Sequence, residues 1–456
     1  MKKFFIFLSI VIVSLAILPL IGNKLINETL DSKLLHLEKN GIEVKSKIVE
    51  SSYLTTKRHY EFLVQDVEKF LDYISKYSDE QLPSYVDGLI DGVVVGSDLE
   101  YSNLFFAEDM SIDIYPLNVS KEIQASLEAE DRELYIYIEK FLKNRGFLYH
   151  LNYNIASEDF NGYIKDIDEN YTLKDSTRVV FKLLNAIYHG NGQLIAPNSL
   201  ISSIETIILD IENQNDNIEL KMKNFHSSSN FESHTTYVTT ASLKSFDLNA
   251  VTPENNVSIN GTNLYANISS NTQGKKAQLY TKSSAEQFSI QSNELTLKAL
   301  DLNYDTSFND MDKDAFEALR VNMSKIKHGS SQDLQELLEN SLISLVSNGL
   351  VFNVADLSAK KIMMDKKDLG GFSLISRLKV TEDKNLAGKV AFTPLFILQN
   401  IELDLRVKLS KILFEKVTDP LPMVKMIKSY AKEEMGNLIY DISYNKQEFR
   451  VNGKVL

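Results

Sequence analysis

Apolar residues alternate singly with polar ones along the stretch 218–310. The spacing is plain at Phe246 and Leu248, which are separated by one aspartate. Because successive side chains of a β-strand point to opposite faces, this pattern predicts successive antiparallel strands that bury one face. The alternation shifts by one position between Leu297 and Leu300, as it does at a β-bulge. No exact repeat is visible, so the sequence does not support a solenoid of fixed period.

Helices are predicted on both sides of this stretch, wherever apolar residues recur on one helical face. The predicted helices cover 25–37, 67–74, 134–142, 200–211, 334–345 and 410–417, the last resuming from 423 to 435 after two prolines. Further strands are predicted at 41–50, 60–64, 93–95, 112–115, 350–354, 359–364, 372–380, 401–408, 438–444 and 448–451. The expected fold class is α+β: an N-terminal transmembrane helix, then an extended, mostly antiparallel β-sheet region flanked by amphipathic helices.

Residues 4–22 form an uninterrupted apolar run without a charge. As a helix they would span roughly 28 Å, close to the hydrocarbon thickness of a bilayer. We expect a single-pass signal anchor, so that the lipid bilayer is a partner through residues 4–22. A cleaved signal peptide, with Ser14 and Ala16 as the small residues, and a buried core helix are the alternatives. Lys2 and Lys3 favour a cytoplasmic start, which places the bulk of the chain outside the cytoplasm. With no cysteine in the chain, as is common in bacterial envelope proteins, we expect the anchor in a bacterial inner membrane and the rest in the periplasm.

These patterns divide the chain into four predicted regions. They are a cytoplasmic tip and anchor (1–23), a linker helix and first strands (24–65), a helix-rich insertion with short strands (66–215), and an antiparallel β-rich region with capping helices (216–456).

The composition excludes several classes of function. With 62 acidic and 49 basic residues the formal net charge is −13, which argues against nucleic-acid binding. The chain has no cysteine, so it can form neither a disulfide nor a cysteine-ligated metal site. It also has no tryptophan, which weakly disfavours a carbohydrate-binding platform.

The search for catalytic and metal-binding motifs is negative. No nucleophile elbow, phosphate-binding loop, zinc-protease helix or dinucleotide fingerprint is present. Asp166, Asp168 and Asn170 match the start of a calcium loop but lack its glycine and its final glutamate, and Asp310, Asp312 and Asp314 fail in the same way. His226, Glu232 and His234 form the only tight histidine group, for which ordinary polar surface is the better interpretation. We expect no catalytic residue, no metal and no cofactor.

Two asparagines are candidate glycosylation sites. Asn170 and Asn256 each begin an Asn-x-Ser/Thr triplet, with Asp168 and Glu254 two residues before them. Some bacterial oligosaccharyltransferases require an acidic residue at that position. Plain polar loops are the alternative interpretation.

Three stretches carry a resemblance to a known family. They are GIEVKSKIVESSYL at 41–54 after the anchor and linker helix, FNVADLSAKKIMMDKKDLGGFSLISRLKV at 352–380, and IYDISYNKQEFRVNGK at 439–454. In these the chain resembles the YdgA-like family of bacterial inner-membrane and periplasmic proteins, whose function is unknown. The family's arginine-glycine turn after the first strand is replaced here by residues 54–58, and residues 66–145 look like an inserted helical segment. The resemblance implies no catalytic residues.

The expected function is non-enzymatic: an envelope-associated binding or assembly protein, with envelope proteins or a second copy of the chain as partners. The alternative is a carrier or conduit for a lipid or another apolar ligand along a β-sheet groove. An enzyme is a third reading, since a pocket can be assembled from residues remote in sequence. The first two differ physically. If the predicted helices at 200–211, 334–345 and 423–435 cover the apolar face of the sheet, the groove is closed and the carrier hypothesis loses its basis.

Overall fold

A computed structural model describes residues 30–51, 55–78, 86–102, 109–193, 196–233, 235–325, 332–386, 388–389, 393–418, 426–445 and 447–455. The chain divides into two compact units, residues 1–215 with 226–230, and residues 216–225 with 231–456. Within the described ranges no helix is both long enough and apolar enough to span a membrane. The apolar run 4–22 lies outside these ranges.

In its described ranges the first unit combines five helices with ten strands. The helices are α1 (Leu30–Lys39), α2 (Val67–Ser78), α3 (Val86–Ile90), α4 (Lys121–Glu130) and α5 (Arg132–Lys143). The strands are β1 (Ile42–Ser51), β2 (Thr55–Val64), β3 (Val94–Ser102), β4 (Asp109–Pro116), β5 (Tyr149–Asn154), β6 (Asp159–Ile164), β7 (Ile167–Thr172), β8 (Arg178–Leu184), β9 (Ala186–Gln193) and β10 (Ala196–Glu212).

These strands form an antiparallel meander in which neighbours in sequence pair with one another. The ladders join β1 through β6 in order. Strand β6 pairs with β9 and β7 pairs with β8, while the long strand β10 pairs with both β9 and β8. Thus β6–β7 and β8–β9 each act as one long strand that is interrupted in the middle, at residues 165–166 and at Asn185.

The core of the first unit lies between its sheet and its helices. Tyr60 and Phe62 on β2 and Ile114 on β4 are fully buried. Phe70 on α2 and Leu127 on α4 are also buried, and α5 packs against β4. The sheet therefore has one covered face, and the opposite face carries polar residues.

The second unit contains most of the long strands. After β11 (Asn217–Ser233), which both units share, come β12 (Thr236–Val251), β13 (Asn256–Asn271), β14 (Lys276–Gln291), β15 (Thr296–Asp312), β16 (Leu350–Met364), β17 (Lys367–Val380), β18 (Ile401–Ser410), β19 (Lys432–Glu434), β20 (Asn437–Asn445), β21 (Glu448–Val451) and β22 (Lys454–Val455). The helices are α6 (Lys313–Lys325), α7 (Gln332–Ser347) and α8 (Lys411–Thr418), with 3-10 turns at Pro394–Asn400 and Met426–Tyr430.

The ladders of the second unit also follow the chain order. Antiparallel pairing runs from β12 to β18 without a crossover. Strand β18 then pairs with β20, whose other edge carries β19 and β21, and β21 pairs with β22. All of these pairings are antiparallel, as are those of the first unit, so strands can follow one another through short turns.

A residue with left-handed backbone conformation interrupts every second long strand. Asn185, Asn224, Asn263 and Asp301 have φ of 51°, 52°, 47° and 49°, and they follow one another at intervals of 39, 39 and 38 residues. Asparagine and aspartate are the side chains that adopt this conformation at least cost. The repeated unit is a β-hairpin of about 39 residues, a periodicity that the sequence analysis did not detect.

The left-handed residue keeps the apolar side chains of a strand on one face. Residues three apart in a regular strand point to opposite faces. A Cβ built on Gly261 would nevertheless lie 3.1 Å from the side chain of Leu264, so these two positions face the same side across Asn263. The strand bends at Asn263 toward this face. In β15 the parity changes between Ala299 and Leu302, across the left-handed Asp301, and not between Leu297 and Leu300 as predicted, because Leu300 lies on the opposite face.

The predicted fold class, α+β with an N-terminal transmembrane helix, is wrong. The described residues form a β-rich fold of antiparallel meanders, and no described helix can span a membrane. The region from 149 to 212, predicted to belong to a helix-rich insertion, consists of strands β5 to β10.

One predicted helix shows why the helical content was overestimated. Residues 200–211 form part of strand β10, not a helix. Leu200 and Ile204 precede the bend opposite Asn185, whereas Ile207 and Ile211 follow it. The shift in alternation at the bend turns a period of two into intervals of four, three and four residues, which imitate a helical face. The predicted helix at 423–435 is also wrong where it is described: it contains a 3-10 turn and strand β19.

We expect Asn263→Val to lower the free energy of unfolding by about 1–3 kcal/mol, because a β-branched residue is strained in the left-handed region. Asn263→Gly, which adopts that region freely, is the matched control and should stay close to the wild type. Urea unfolding of the full chain, followed by circular dichroism, measures both. Equal stability of the valine and glycine variants would contradict the proposed role of the left-handed residue.

The stacked tyrosines of the first unit predict a loss of stability in alkali. The rings of Tyr149 and Tyr188 lie 4.8 Å apart, and burial raises the pKa of Tyr149 to about 12. An unfolded tyrosine ionises near pH 10, so the contribution of Tyr149 is complete below pH 10 and is lost as the pH rises to 12. This contribution amounts to about 2–3 kcal/mol.

Tyr149→Phe should therefore flatten the decline of unfolding free energy between pH 10 and 12, as measured by urea titrations across that range. Phe147→Leu is the control, since it removes a buried ring without a phenol. It should lower stability by the same amount at every pH. An unchanged slope in Tyr149→Phe would show that Tyr149 is not the group responsible.

Candidate functional site

The second unit presents one face whose side chains are uncharged from β12 to β17. We call it the inner face. The strand pairings align its residues in rows across the strands. On one side of the left-handed residues lie two rows, which form the short wall: Leu248, Ile259, Ile290, Leu297 and Met364, then Phe246, Gly261, Phe288, Ala299 and Ile362.

The long wall lies on the other side of the left-handed residues and contains four rows. They are Leu243, Leu264, Ala285, Leu302, Ala359 and Phe372; Ala241, Ala266, Ser283, Tyr304, Leu357 and Leu374; Thr239, Ile268, Thr281, Thr306, Val354 and Ser376; and Tyr237, Ser270, Leu279, Phe308, Phe352 and Leu378.

Small and large residues face each other across the corner between the walls. In β13, Gly261 of the short wall approaches Leu264 of the long wall. In β14 the small residue is Ala285, 6% exposed, and in β16 it is Ala359, 1% exposed. From β13 to β16 each strand thus places one small and one large side chain at the corner, whereas β12 places Phe246 and Leu243 there. The two walls therefore meet in a trough with an apolar floor.

The convex side of the bend carries a row of polar residues, which we call the crease. It comprises Lys244, Asn263, Glu286, Asp301 and Lys360, all exposed. The Asn263 amide donates to the Glu286 carboxylate, and Lys360 Nζ lies 3.5 Å from Asp301 Oδ2. In the first unit Asn185 donates to Glu205 in the same manner. These contacts join Asn185, Asn263 and Asp301 to the next strand.

Helices cover the inner face only at its margins. At one end of the strands, Leu345 of α7 and Ala315 of α6 form a core cluster with Met311, next to Phe308 and Phe352. At the β18–β20 side, Phe414 of α8 packs with Leu438 and Tyr440. Among the described helices, α6 packs on β14 and β15, and α8 packs on β17, β18 and β20. None packs extensively on β12 or β13.

The middle of the inner face is consequently accessible. Ile268, Ile290 and Tyr304 on it are 37–40% exposed, and Val257, two residues before Ile259 on β13, is 36% exposed. Isolated exposed apolar residues are ordinary, but an uncharged concave face that exposes them on several neighbouring strands is a candidate binding surface. We take this trough as the candidate functional site.

A second polar cluster lies on the polar face of the first unit. His59 Nδ1 lies 2.6 Å from Asp98 Oδ1, and His150 Nδ1 lies 2.6 Å from Asp113 Oδ1. Arg145 Nη2 is 2.5 Å from Asp98 Oδ2, which also accepts from the hydroxyl of Tyr115 at 3.1 Å. Burial and the charge of Asp98 raise the pKa of Tyr115, so its hydroxyl stays a donor.

The side chains of this cluster contact one another. Asp98 and Asp113 are paired directly across β3 and β4, where two like charges destabilise a sheet unless they are compensated. Arg145 compensates the charge of Asp98, and each carboxylate has a histidine ring nitrogen within hydrogen-bonding distance. The adjoining cavity of about 370 Å³ is lined by Lys57, Arg58 and Glu100 among others, and Lys57 Nζ is 3.1 Å from Glu100. No group of three or more metal-ligating side chains is found in the described ranges.

A cavity of about 510 Å³ in the second unit also has paired charges. Its charged lining residues are Arg377, Asp404, Arg406 and Asp441, and Arg406 Nε lies 3.6 Å from Asp441 Oδ1. Arg377 follows the inner-face residue Ser376 along β17 and so lies on the opposite face. Val354 and Ser376 of the long wall also border this cavity, so it adjoins the edge of the inner face.

The candidate glycosylation sites lie in strands and not in loops. Asn170 is exposed on β7 and accepts from Arg178 Nε at 3.4 Å. Asn256 is exposed at the start of β13, where its backbone N–H donates to Asn293. They belong to different units. Their glycosylation stays a prediction.

The other sequence motifs are engaged in ordinary contacts. His226 bonds to Ser203 at 2.9 Å and Glu232 accepts from Gln273, while His234 lies outside the described residues. Asp166 accepts from the backbone of Asn185, and Asp168 pairs with Lys182.

The second aspartate triplet has a capping role. Asp312 accepts from the backbone N–H of Ala315 at the start of α6, and Asp310 has a positive φ of 59°. A carboxylate at this position satisfies a free N–H of the first helical turn.

Comparison with family models, with curated proteins and with solved structures finds no match for this chain. The resemblance to the YdgA-like family stays a prediction from the three stretches quoted above.

Filling the corner of the trough should destabilise the protein. Ala285→Leu places a second large side chain at the corner, where β14 otherwise has one, and we expect a loss of about 1–3 kcal/mol in unfolding free energy. Ser284→Leu is the matched control, because Ser284 is the neighbouring residue on the other face of β14. Urea unfolding distinguishes them. If both variants lose the same stability, the corner is not tightly packed.

Proposed function

We propose that this protein binds the hydrocarbon chains of membrane lipids along the trough and carries them without chemical change. The observation that supports this proposal is the accessible inner face of β12–β15, which is uncharged and concave and whose short wall is entirely apolar. Of the helices expected to cover it, one is a strand and another is a 3-10 turn with a strand where it is described. Among the described residues, no helix covers the middle of the inner face. A covered face would have removed the basis of the carrier hypothesis and left only the assembly role.

The dimensions of the trough suit extended hydrocarbon chains. Residues 256–261 of the short wall span roughly 20 Å along the strand direction, and six strands span about 24 Å across it. Hydrocarbon chains gain free energy by leaving water for such a surface, at about 25 cal/mol per Å² of apolar area buried. A polar or charged ligand would find no partner on the short wall.

A second copy of the chain is a poorer occupant. A two-fold dimer brings the same surface of both copies together, so that surface must be complementary to itself. Two concave faces enclose a void where they meet, and an unfilled apolar void forfeits packing energy. Lipid chains are flexible and fill a concave surface without that cost.

The proposal does not depend on the cellular location. A bacterial periplasmic location and an envelope role stay predictions from the sequence.

Site-specific photocrosslinking of the full chain in living cells tests this function. We expect benzoylphenylalanine at Ile268 or Ile290, on the inner face, to form adducts with the mass of a membrane lipid. Val238 is the matched control, since it is 45% exposed on the opposite face of β12. It should form several-fold fewer lipid adducts.

Two results would count against the proposal. Lipid adducts in equal yield at Ile268, Ile290 and Val238 would indicate non-specific contact with membranes. Adducts of Ile268 and Ile290 with a second copy of the chain, without lipid adducts, would show that the inner face is a subunit interface and would favour the assembly role.

A further inference from the structure

The two walls of the trough differ in chemistry. The short wall, with Leu248, Ile259, Ile290 and Leu297 at its rim, has no hydroxyl or amide side chain in either row. The long wall has hydroxyl groups close to its middle. They are Thr239, Thr281, Thr306 and Ser376, all in one row across the strands, and Ser283 in the next row toward the corner. We call these five residues the hydroxyl band.

Two members of the hydroxyl band, Thr281 and Thr306, have unused hydrogen-bonding capacity. Thr281 and Thr306 are directly paired across β14 and β15, and none of the hydrogen bonds between described residues uses either hydroxyl. Thr306 is only 4% exposed, whereas Thr281 and Ser283 are partly exposed. A hydroxyl donates one hydrogen bond and accepts two. Placed in an apolar wall, such groups bind a ligand that brings its own oxygen atoms to them.

The absence of charged side chains from the two walls limits the class of ligand that can bind there. From β12 to β17 every charged side chain of the long strands lies outside the walls. Four of them, Lys244, Glu286, Asp301 and Lys360, lie in the crease on the convex side. An ionised carboxylate or phosphate on the inner face would therefore have no counter-charge, and burying it unpaired is costly. Neutral acceptors such as ester carbonyls fit the hydroxyl band without that cost.

Building on the proposed function, we propose that the ligand is an ester-linked glycerolipid bound in one orientation. Its acyl chains lie against the short wall and the corner. Its ester carbonyls accept hydrogen bonds from the hydroxyl band, chiefly from Thr281 and Ser283, and its charged headgroup stays in solvent. The hydroxyl band thus distinguishes lipids by the linkage between the hydrocarbon chain and the headgroup, which a plain apolar surface does not do.

The test compares two lipids that differ only in this linkage. The purified full chain is incubated with mixed micelles containing equal amounts of dioleoylphosphatidylglycerol and its di-O-alkyl ether analogue, and retained lipid is counted by native mass spectrometry. The ether analogue keeps the chains and headgroup but lacks the carbonyls. We expect the wild type to prefer the ester lipid by about three- to tenfold, the effect of one or two neutral hydrogen bonds.

Thr281→Val with Ser283→Ala should abolish this preference and leave binding of the ether lipid unchanged, because shape and apolar area are kept. Thr262→Val with Ser284→Ala, on the opposite face of β13 and β14, is the matched control and should keep the wild-type preference. Thr281→Val alone provides a second variant, should the double variant fold poorly by circular dichroism.

The outcomes separate the two proposals. Equal retention of both lipids by the wild type, or an ester preference that persists in Thr281→Val with Ser283→Ala, overturns the role of the hydroxyl band while lipid binding stands. If neither lipid is retained by the folded wild type, the proposed function itself fails.

Discussion

The backbone conformation of four residues, Asn185, Asn224, Asn263 and Asp301, governs the architecture of the long strands. In a regular strand, the apolar residues before and after each of these four positions would lie on opposite faces of the sheet. One residue with positive φ per strand brings them to the same face and also bends the strand. The accessible concave face, the small residues at its corner and the polar crease on its convex side all follow from this local conformation. Asparagine and aspartate adopt this conformation at little cost, and the side chains of Asn185, Asn263 and Asp301 also contact the following strand.

The sequence was most informative where strands are regular. The alternation of Phe246, Leu248 and their neighbours predicted the antiparallel strands, and β1, β18 and β20 were predicted at nearly their observed bounds. Helices α2 and α5 were also recognised from their apolar faces. These successes have a common reason. Burial on one face imposes a period of two or 3.6 on the sequence, and that period survives in any context.

The errors came where two periods were superimposed. At β10, the bend opposite Asn185 spaces Leu200, Ile204, Ile207 and Ile211 as on a helix. The β-branched isoleucines, which favour strands, were the signal that could have prevented this error. The 39-residue hairpin repeat was missed because only the pattern of apolar positions and one small polar residue recurs, with no fixed sequence. The trough depended on the same missed feature, since no residue of it is unusual by itself. Only the register, which sequence does not display, brings its rows together.

The hairpin repeat also has a consequence for how a sheet of this kind changes in length. One hairpin adds two strands, and therefore about 10 Å of sheet across the strand direction. After the added hairpin the chain emerges at the same end of the strands as before. The following strand therefore keeps its direction and its inner face. Gain or loss of a whole hairpin leaves the remaining register intact, whereas gain of a single strand would reverse every strand after it. The extent of such a surface across its strands therefore changes in steps of one hairpin. Duplication or deletion of about 39 residues makes such a step and leaves the remaining residues unchanged.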